Sequence, residues 1–263
     1  MRTFFTLLMA GVLASMPLTG TASAESNGPV PAGTAAFAKN PIYKTGKLKT
    51  RICEEPTVRG GDLDSVEIYA DTMSACLDRA WEAQLKKAGI AYGKPKVKVG
   101  YGSRIKTACG TYRPGDTFSL YCQKNSTIYL MVTDYGVLGE IDDPRMLESL
   151  AIGYGYHVQR LVGVLAQESR AAKKLSKAGA LALSAKISLQ NICLAGAFIG
   201  SVWDSLGHTK VHGYDFIIDR HRIESSIAGN GTTKNRLYWQ RRGFETRSPG
   251  ACNTFTAPAA RVA

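Results

Sequence analysis

The chain reads as an α+β protein: a long helix, then short strands, then two or three further helices. Three observations predict this order. Residues 64–88 place Val66, Tyr69, Met73, Cys76, Leu77, Ala80, Trp81 and Leu85 at steps of three and four, the period of one helix face. KVKVGY (96–101) alternates basic and apolar residues, and TIYLMVT (127–133) is apolar and β-branched, both patterns of strands. Beyond residue 144 the helical period returns and persists, so helices and strands are segregated along the chain, the mark of an α+β arrangement.

The elements can be justified in order. Residues 1–24 carry Arg2, an apolar run from Phe4 to Leu18 and small residues ending in Ala22-Ser23-Ala24, which reads as a secretory signal peptide cleaved after Ala24. The run contains Pro17 and is shorter than the ~20 residues that span a bilayer, and no later segment reads as apolar enough to span one. Residues 25–40 are rich in Pro, Gly, Ala and Ser and read as a flexible lead-in. Gly89 should stop the first helix. Asp142-Asp143-Pro144 supplies an N-cap and a proline at the first helical position, and Leu147, Leu150, Tyr154, His157 or Val158, Leu161 and Leu165 continue as an apolar stripe. A further helix is expected from about Ala180 to Leu206, ended by Gly207. The intervening ESRAAKKLSKAG fits either a helix or a charged loop, and 257–263 reads as a disordered tail.

The whole chain carries 33 Lys and Arg against 21 Asp and Glu; without Arg2 the remaining balance is +11. An exported chain this basic is suited to anionic envelope polymers, lipid head groups or nucleic acid, or its charge serves solubility alone. The lysines are scattered over 44–49, 94–98 and 173–177, which argues against one dedicated groove. Six cysteines in an exported protein imply three disulfides, with 15 pairings open and no CxxC spacing to suggest a metal. Proximity favours Cys53–Cys76 and Cys109–Cys122, leaving Cys193–Cys252 as a long-range staple.

The stretch with the most chemical information is AIGYGYHVQRL (151–161), where two glycines and two tyrosines surround one histidine in a helix. Glycine costs a helix roughly 1 kcal/mol against alanine, so Gly153 and Gly155 need a reason. His157 reads as a satisfied core histidine rather than a base for Ser188. His208 and His212 (HTKVH) have ligand-like spacing but lie between glycines, and His221 reads as a solvated position. NRLYWQRRGFETR (235–247) interleaves basic and aromatic residues, a pattern that suits nucleic acid, although packing near Cys252 is the preferred reading.

These pieces, in this order and spacing, resemble the secreted bacterial neutral zinc metallopeptidase family. The similarity runs through NPIYKTGKL, CLDRAWEAQLKKAG, CGTYRPGDTFSLYC, STIYL, GYGYHVQ, SLQNICLAG and RLYWQRRGFETRSPGACNTF. The resemblance implies a single zincin-like domain over 41–256, with a small sheet packed beside the helix of 144–166. It also implies a zinc held by an HExxH pair of histidines, a glutamate that activates water, and a carboxylate from a later helix. TIYLMVT is the expected edge strand for substrate.

Carried onto this chain, the first histidine position is Ile152, the glutamate position Gly153 and the second histidine position Tyr156. Ser188 stands at the later carboxylate and Asn230 at a further histidine near the C-terminus. Zinc takes deprotonated nitrogen, sulfur or carboxylate donors, normally three from protein. The expectation is therefore no cofactor and no zinc, with Tyr154, Tyr156 and His157 lining a residual cleft and Tyr156 filling volume that metal and histidine would occupy. Three functions follow. The first is a secreted, inactive homologue that binds a polypeptide or envelope component; the second is a basic scaffold in the envelope that binds anionic polymer or lipid, nucleic acid being disfavoured. The third is a peptidase with residual or rebuilt activity. Extracellular, periplasmic and envelope-associated locations all remain open.

Overall fold

The computed structural model describes residues 30–113, 119–132, 145–208 and 228–262. The signal-peptide reading of 1–24, the Asp142-Asp143-Pro144 cap, Thr133, His212 and His221 lie outside the described residues. Six α-helices are described: α1 (Ala35–Ala38), α2 (Leu63–Lys87), α3 (Arg145–Leu161), α4 (Val164–Ala172), α5 (Lys177–Val202) and α6 (Thr233–Thr246). Five strands lie between α2 and α3: β1 (Lys96–Tyr101), β2 (Ile105–Thr107), β3 (Gly110–Tyr112), β4 (Ser119–Cys122) and β5 (Thr127–Val132).

Helix α2 starts where the Asp62 side chain accepts from the Ser65 amide and stops at Gly89, whose φ of 72° only glycine adopts without strain. All eight residues of its predicted stripe are buried. Strand β1 has the expected bounds and pairs in parallel with β5, from Lys96 opposite Thr127 to Tyr101 opposite Val132. Strand β4 pairs antiparallel on the other side of β5.

The sheet order β1-β5-β4 corrects one expectation: β5 is the central strand, and the edge antiparallel to it is β4. The reason is legible in burial, since all six β5 residues are buried, as a strand covered on both faces requires. Alternate β5 side chains divide between the layers. Ile128 and Leu130 join the helical core, whereas Tyr129 and Met131 pack with Ile105 under the β2–β3 hairpin. The Cys109–Cys122 disulfide fastens that hairpin to β4.

Helices α5 and α6 touch backbone to backbone. A Cβ at Gly196 would lie 2.5 Å from the Gln240 carbonyl oxygen, and Cβ atoms at Gly200 and Gly243 would run into the Phe244 and Cys193 carbonyls. Three glycines thus permit an approach that any side chain would prevent, and Cys193–Cys252 closes it covalently. Cys53–Cys76 ties the segment before α2 to the helix itself. Two of the three disulfides are those that proximity favours and the third is the pair it leaves; together they suit an oxidising environment outside the cytoplasm.

Three further expectations need correction. The second half of the lead-in is anchored: Phe37 stacks on Phe255 at 4.6 Å, and the Asn40 side-chain amide donates to the Val162 carbonyl at 2.7 Å. The tail is docked rather than disordered through residue 262, with Val262 buried and the Trp239 indole donating to the Arg261 carbonyl at 2.7 Å. Finally, one later helix, α5 with the turn after it, is long and apolar enough to cross a membrane by length and composition, though 78% of its apolar window is buried inside the fold.

Candidate functional site

Helix α3 carries the stretch 151–161 and meets a different neighbour on each side. Toward α2, the Tyr154 hydroxyl lies 3.0 Å from Asp78 Oδ1 and 3.2 Å from the Ser74 carbonyl. Asp78 also accepts from the Tyr92 hydroxyl at 2.5 Å and sits 3.5 Å from Lys94 Nζ. Burial and the neighbouring carboxylate push the Tyr154 phenol well above its ordinary range, so it stays a neutral donor.

Toward the sheet, His157 is held from both ring nitrogens. Nε2 lies 2.6 Å from the Gly93 carbonyl, which can only accept, so this nitrogen carries the proton. Nδ1 then accepts from the Tyr121 hydroxyl at 3.0 Å. Burial lowers the imidazole pKa below its ordinary value, with the Gly93 hydrogen bond opposing the shift and Arg160 assisting it. Toward α5, the Gln159 amide donates to the Ile187 carbonyl at 3.0 Å and to Gln190 Oε1 at 2.8 Å.

The glycines now have their reasons. A Cβ at Gly155 would run into the Asn191 side-chain oxygen and lie 3.2 Å from the Asn191 carbonyl, so this glycine lets α3 approach α5. A Cβ at Gly153 would lie 2.5 Å from Ile128 Cγ2 and 3.1 Å from Ser119 Oγ, so this one lets α3 approach β4 and β5. Both positions are buried.

The remaining predicted positions separate into two groups. Ile152 is buried and Tyr156 half-buried; four residues apart on α3, they share one face. Ser188, on α5, is 6% exposed and lies with Asn230 around a side chain that the sequence reading missed, Arg236. Its Nη1 donates to the Asn230 carbonyl at 3.1 Å and to Ser188 Oγ at 3.4 Å. Arg236 is 1% exposed, a fully buried cation beside the expected carboxylate position. Nearby, the Gln240 amide donates at 2.9 Å to Glu148, which is also fully buried. The signal that could have found these residues is helical spacing: Asn235, Arg236, Trp239, Gln240 and Gly243 form the buried face of α6.

The expected residual cleft is divided by the fold. Tyr154 and His157 are 0% and 1% exposed and turn to α2 and to the sheet, which leaves Tyr156 as the accessible member. His208 lies 2.8 Å from Glu55 and stacks on Trp203 at 5.6 Å.

The donor set does not match what zinc takes. Isoleucine, glycine and a serine that accepts from a guanidinium offer no deprotonated ligand, and a phenol alone is a poor one. Among the described residues no group of three or more His, Cys, Asp or Glu side chains is placed to hold a metal.

A helix of this kind beneath a small mixed sheet with an antiparallel edge defines a zincin-like α+β protein. The sequence profile of the family described as "putative neutral zinc metallopeptidase" matches residues 51–212, most of the chain, and this chain belongs to that family. It is similar to the Escherichia coli K12 protein named Uncharacterized protein YpfJ, 26% identical over 211 residues that cover 73% of this chain and 72% of that one. Uncharacterized protein Mb2605 of Mycobacterium bovis and Uncharacterized protein Rv2575 of Mycobacterium tuberculosis H37Rv are each 26% identical over 212 residues, covering 69% of this chain and 68% of theirs. No solved structure matches the chain.

Proposed function

We propose that this protein is a secreted, catalytically inactive member of its family that acts by binding an extended polypeptide. The observation that carries the reading is the packing at Gly153. Where the family's general base would stand, the backbone lies directly against Ile128 and Ser119, so the position holds no carboxylate and a side chain there would meet its neighbours. Ser188, at the later ligand position, is engaged by Arg236. Hydrolysis of a peptide bond at neutral pH needs a polarising metal or an activated nucleophile, and Ile152, Gly153, Tyr156 and Ser188 supply neither.

Binding requires less. Strand β4 is an edge among the described residues, and strand addition uses backbone hydrogen bonds with side-chain pockets for selectivity. Tyr121 and Tyr156 are half-buried on β4 and α3, which leaves part of each ring available to such a segment. The disulfides and the leader-like first 24 residues support an extracellular, periplasmic or envelope-associated site of action.

The test is metal analysis and peptidase assay of one purified sample, with and without added zinc. The expected result is less than ~0.1 zinc per chain and no cleavage of denatured protein substrates. One tightly bound zinc per chain, or cleavage that a chelator abolishes, would overturn the reading.

A further inference from the structure

The structure gathers into one pole several cations that the sequence scatters. Residues 44–51 (KTGKLKTR) have no helix or strand after the 3₁₀ turn that ends at Lys44, yet hydrogen bonds hold them at both ends. The Gln84 amide of α2 donates to the Thr45 hydroxyl at 2.7 Å and to the Gly46 carbonyl at 2.8 Å. The Leu48 amide donates to the Arg247 carbonyl at the end of α6 at 2.7 Å, and the Arg51 amide to the Ser201 carbonyl at 3.3 Å. Leu48 itself is buried.

This path leaves Lys44, Lys47 and Lys49 in solvent, as Lys86 and Lys87 are at the end of α2, with Arg51 half-buried. Lys87 Nζ reaches the Lys47 carbonyl at 3.4 Å, so the two segments adjoin. None of these six cations forms an ion pair among the described residues. The carboxylate of Asp204, after α5, lies 3.7 Å from Arg247. Complementing a helix C-terminus accounts for Lys86 and Lys87, but not for four cations on a non-helical segment. Directly beyond Arg51 stands Ile52, 82% exposed, the most exposed large apolar side chain of the described chain.

We infer that this pole is a docking surface for an anionic lipid bilayer: the lysines meet phosphate head groups and Ile52 enters the interface. An apolar side chain held clear of the fold beside unpaired lysines suits a surface with an apolar layer beneath its charges. A dissolved polyanion has no use for Ile52.

The experiment uses protein recovered from the exported fraction of cells that express the full chain. Co-sedimentation is measured with vesicles of phosphatidylcholine alone and with vesicles containing phosphatidylglycerol. Binding is expected only to the second, weakening steeply with salt. Lys47→Glu with Lys49→Glu should cut partitioning at least about 30-fold, since loss of each lysine's charge alone is worth roughly a factor of five at such a surface. Ile52→Ser should cut it roughly fivefold. The pair Lys173→Glu and Lys174→Glu, the same charge change on another exposed cluster, should leave it within about threefold. Equal loss in both lysine pairs, binding to neutral vesicles, or binding to soluble polyphosphate with no effect of Ile52→Ser would each overturn the inference. Circular dichroism on every variant separates loss of binding from loss of fold.

Discussion

Helix α3 contains two populations of motif residues, and they differ in what they touch. Tyr154, His157 and Gln159 each make two polar contacts, to α2, to the sheet and its preceding loop, and to α5 respectively. Ile152 and Gly153, directly before them in the helix, make none through a side chain; an apolar side chain fills one position and packed backbone the other. The first group joins elements that would otherwise leave buried polar atoms unsatisfied, which costs about 1–3 kcal/mol per group. The second group would be needed only for a metal and a water. The residues that hold the helix in register are therefore distinct from the positions at which the family resemblance expects metal and base.

The contrast can be broken most strongly at Gly155. Gly155→Ala drives a methyl group into Asn191 and should destabilise the protein by about 3 kcal/mol, lowering Tm by roughly 10 °C. A change under about 1 °C in calorimetry would mean that α3 and α5 are not in close contact. Next comes a matched pair. Tyr154→Phe removes a donor from the buried Asp78 carboxylate and should cost about 2 kcal/mol, whereas Ile152→Val should cost about 1 kcal/mol. Denaturant titration that ranks them the other way would undo the division between the two populations.

The smallest effect, absent at neutral pH, belongs to His157. Burial holds its folded pKa below the ordinary value of 6.5, so the unfolded chain takes up a proton first. Stability should fall as pH drops below about 6.5 and stop falling on this account once the folded pKa is passed. His157→Gln should flatten that part of the stability profile. An unchanged slope would show that the imidazole is not held neutral.

Much of the architecture was legible in the sequence, for local reasons. The bounds of α2 and β1 follow from spacing alone, because Val66 to Leu85 and the KVKV alternation are set by one element facing one core. The place of β5 in the sheet was not legible: an apolar run shows burial on two faces, not which strand lies on either side. Helix α6 was obscured for a different reason. Its buried face carries Asn235, Arg236 and Gln240, and its contact with α5 depends on glycines, so the apolar period that marks a helix is missing. The candidate site was legible only through resemblance. Ile152, Gly153 and Ser188 have no property of their own that marks a site, and Arg236, the charged group beside them, is brought there by a chain reversal.

The glycine contact between α5 and α6 also sets an order of events. Helix α5 has the length and hydropathy of a membrane-crossing segment, and Gly196 and Gly200 on it are covered by residues that follow it by some 40 positions. Until that later stretch emerges, the apolar helix has no lid, and Cys193 has no partner until residue 252 arrives. Until then the chain carries an uncovered apolar helix, which its own later residues close over.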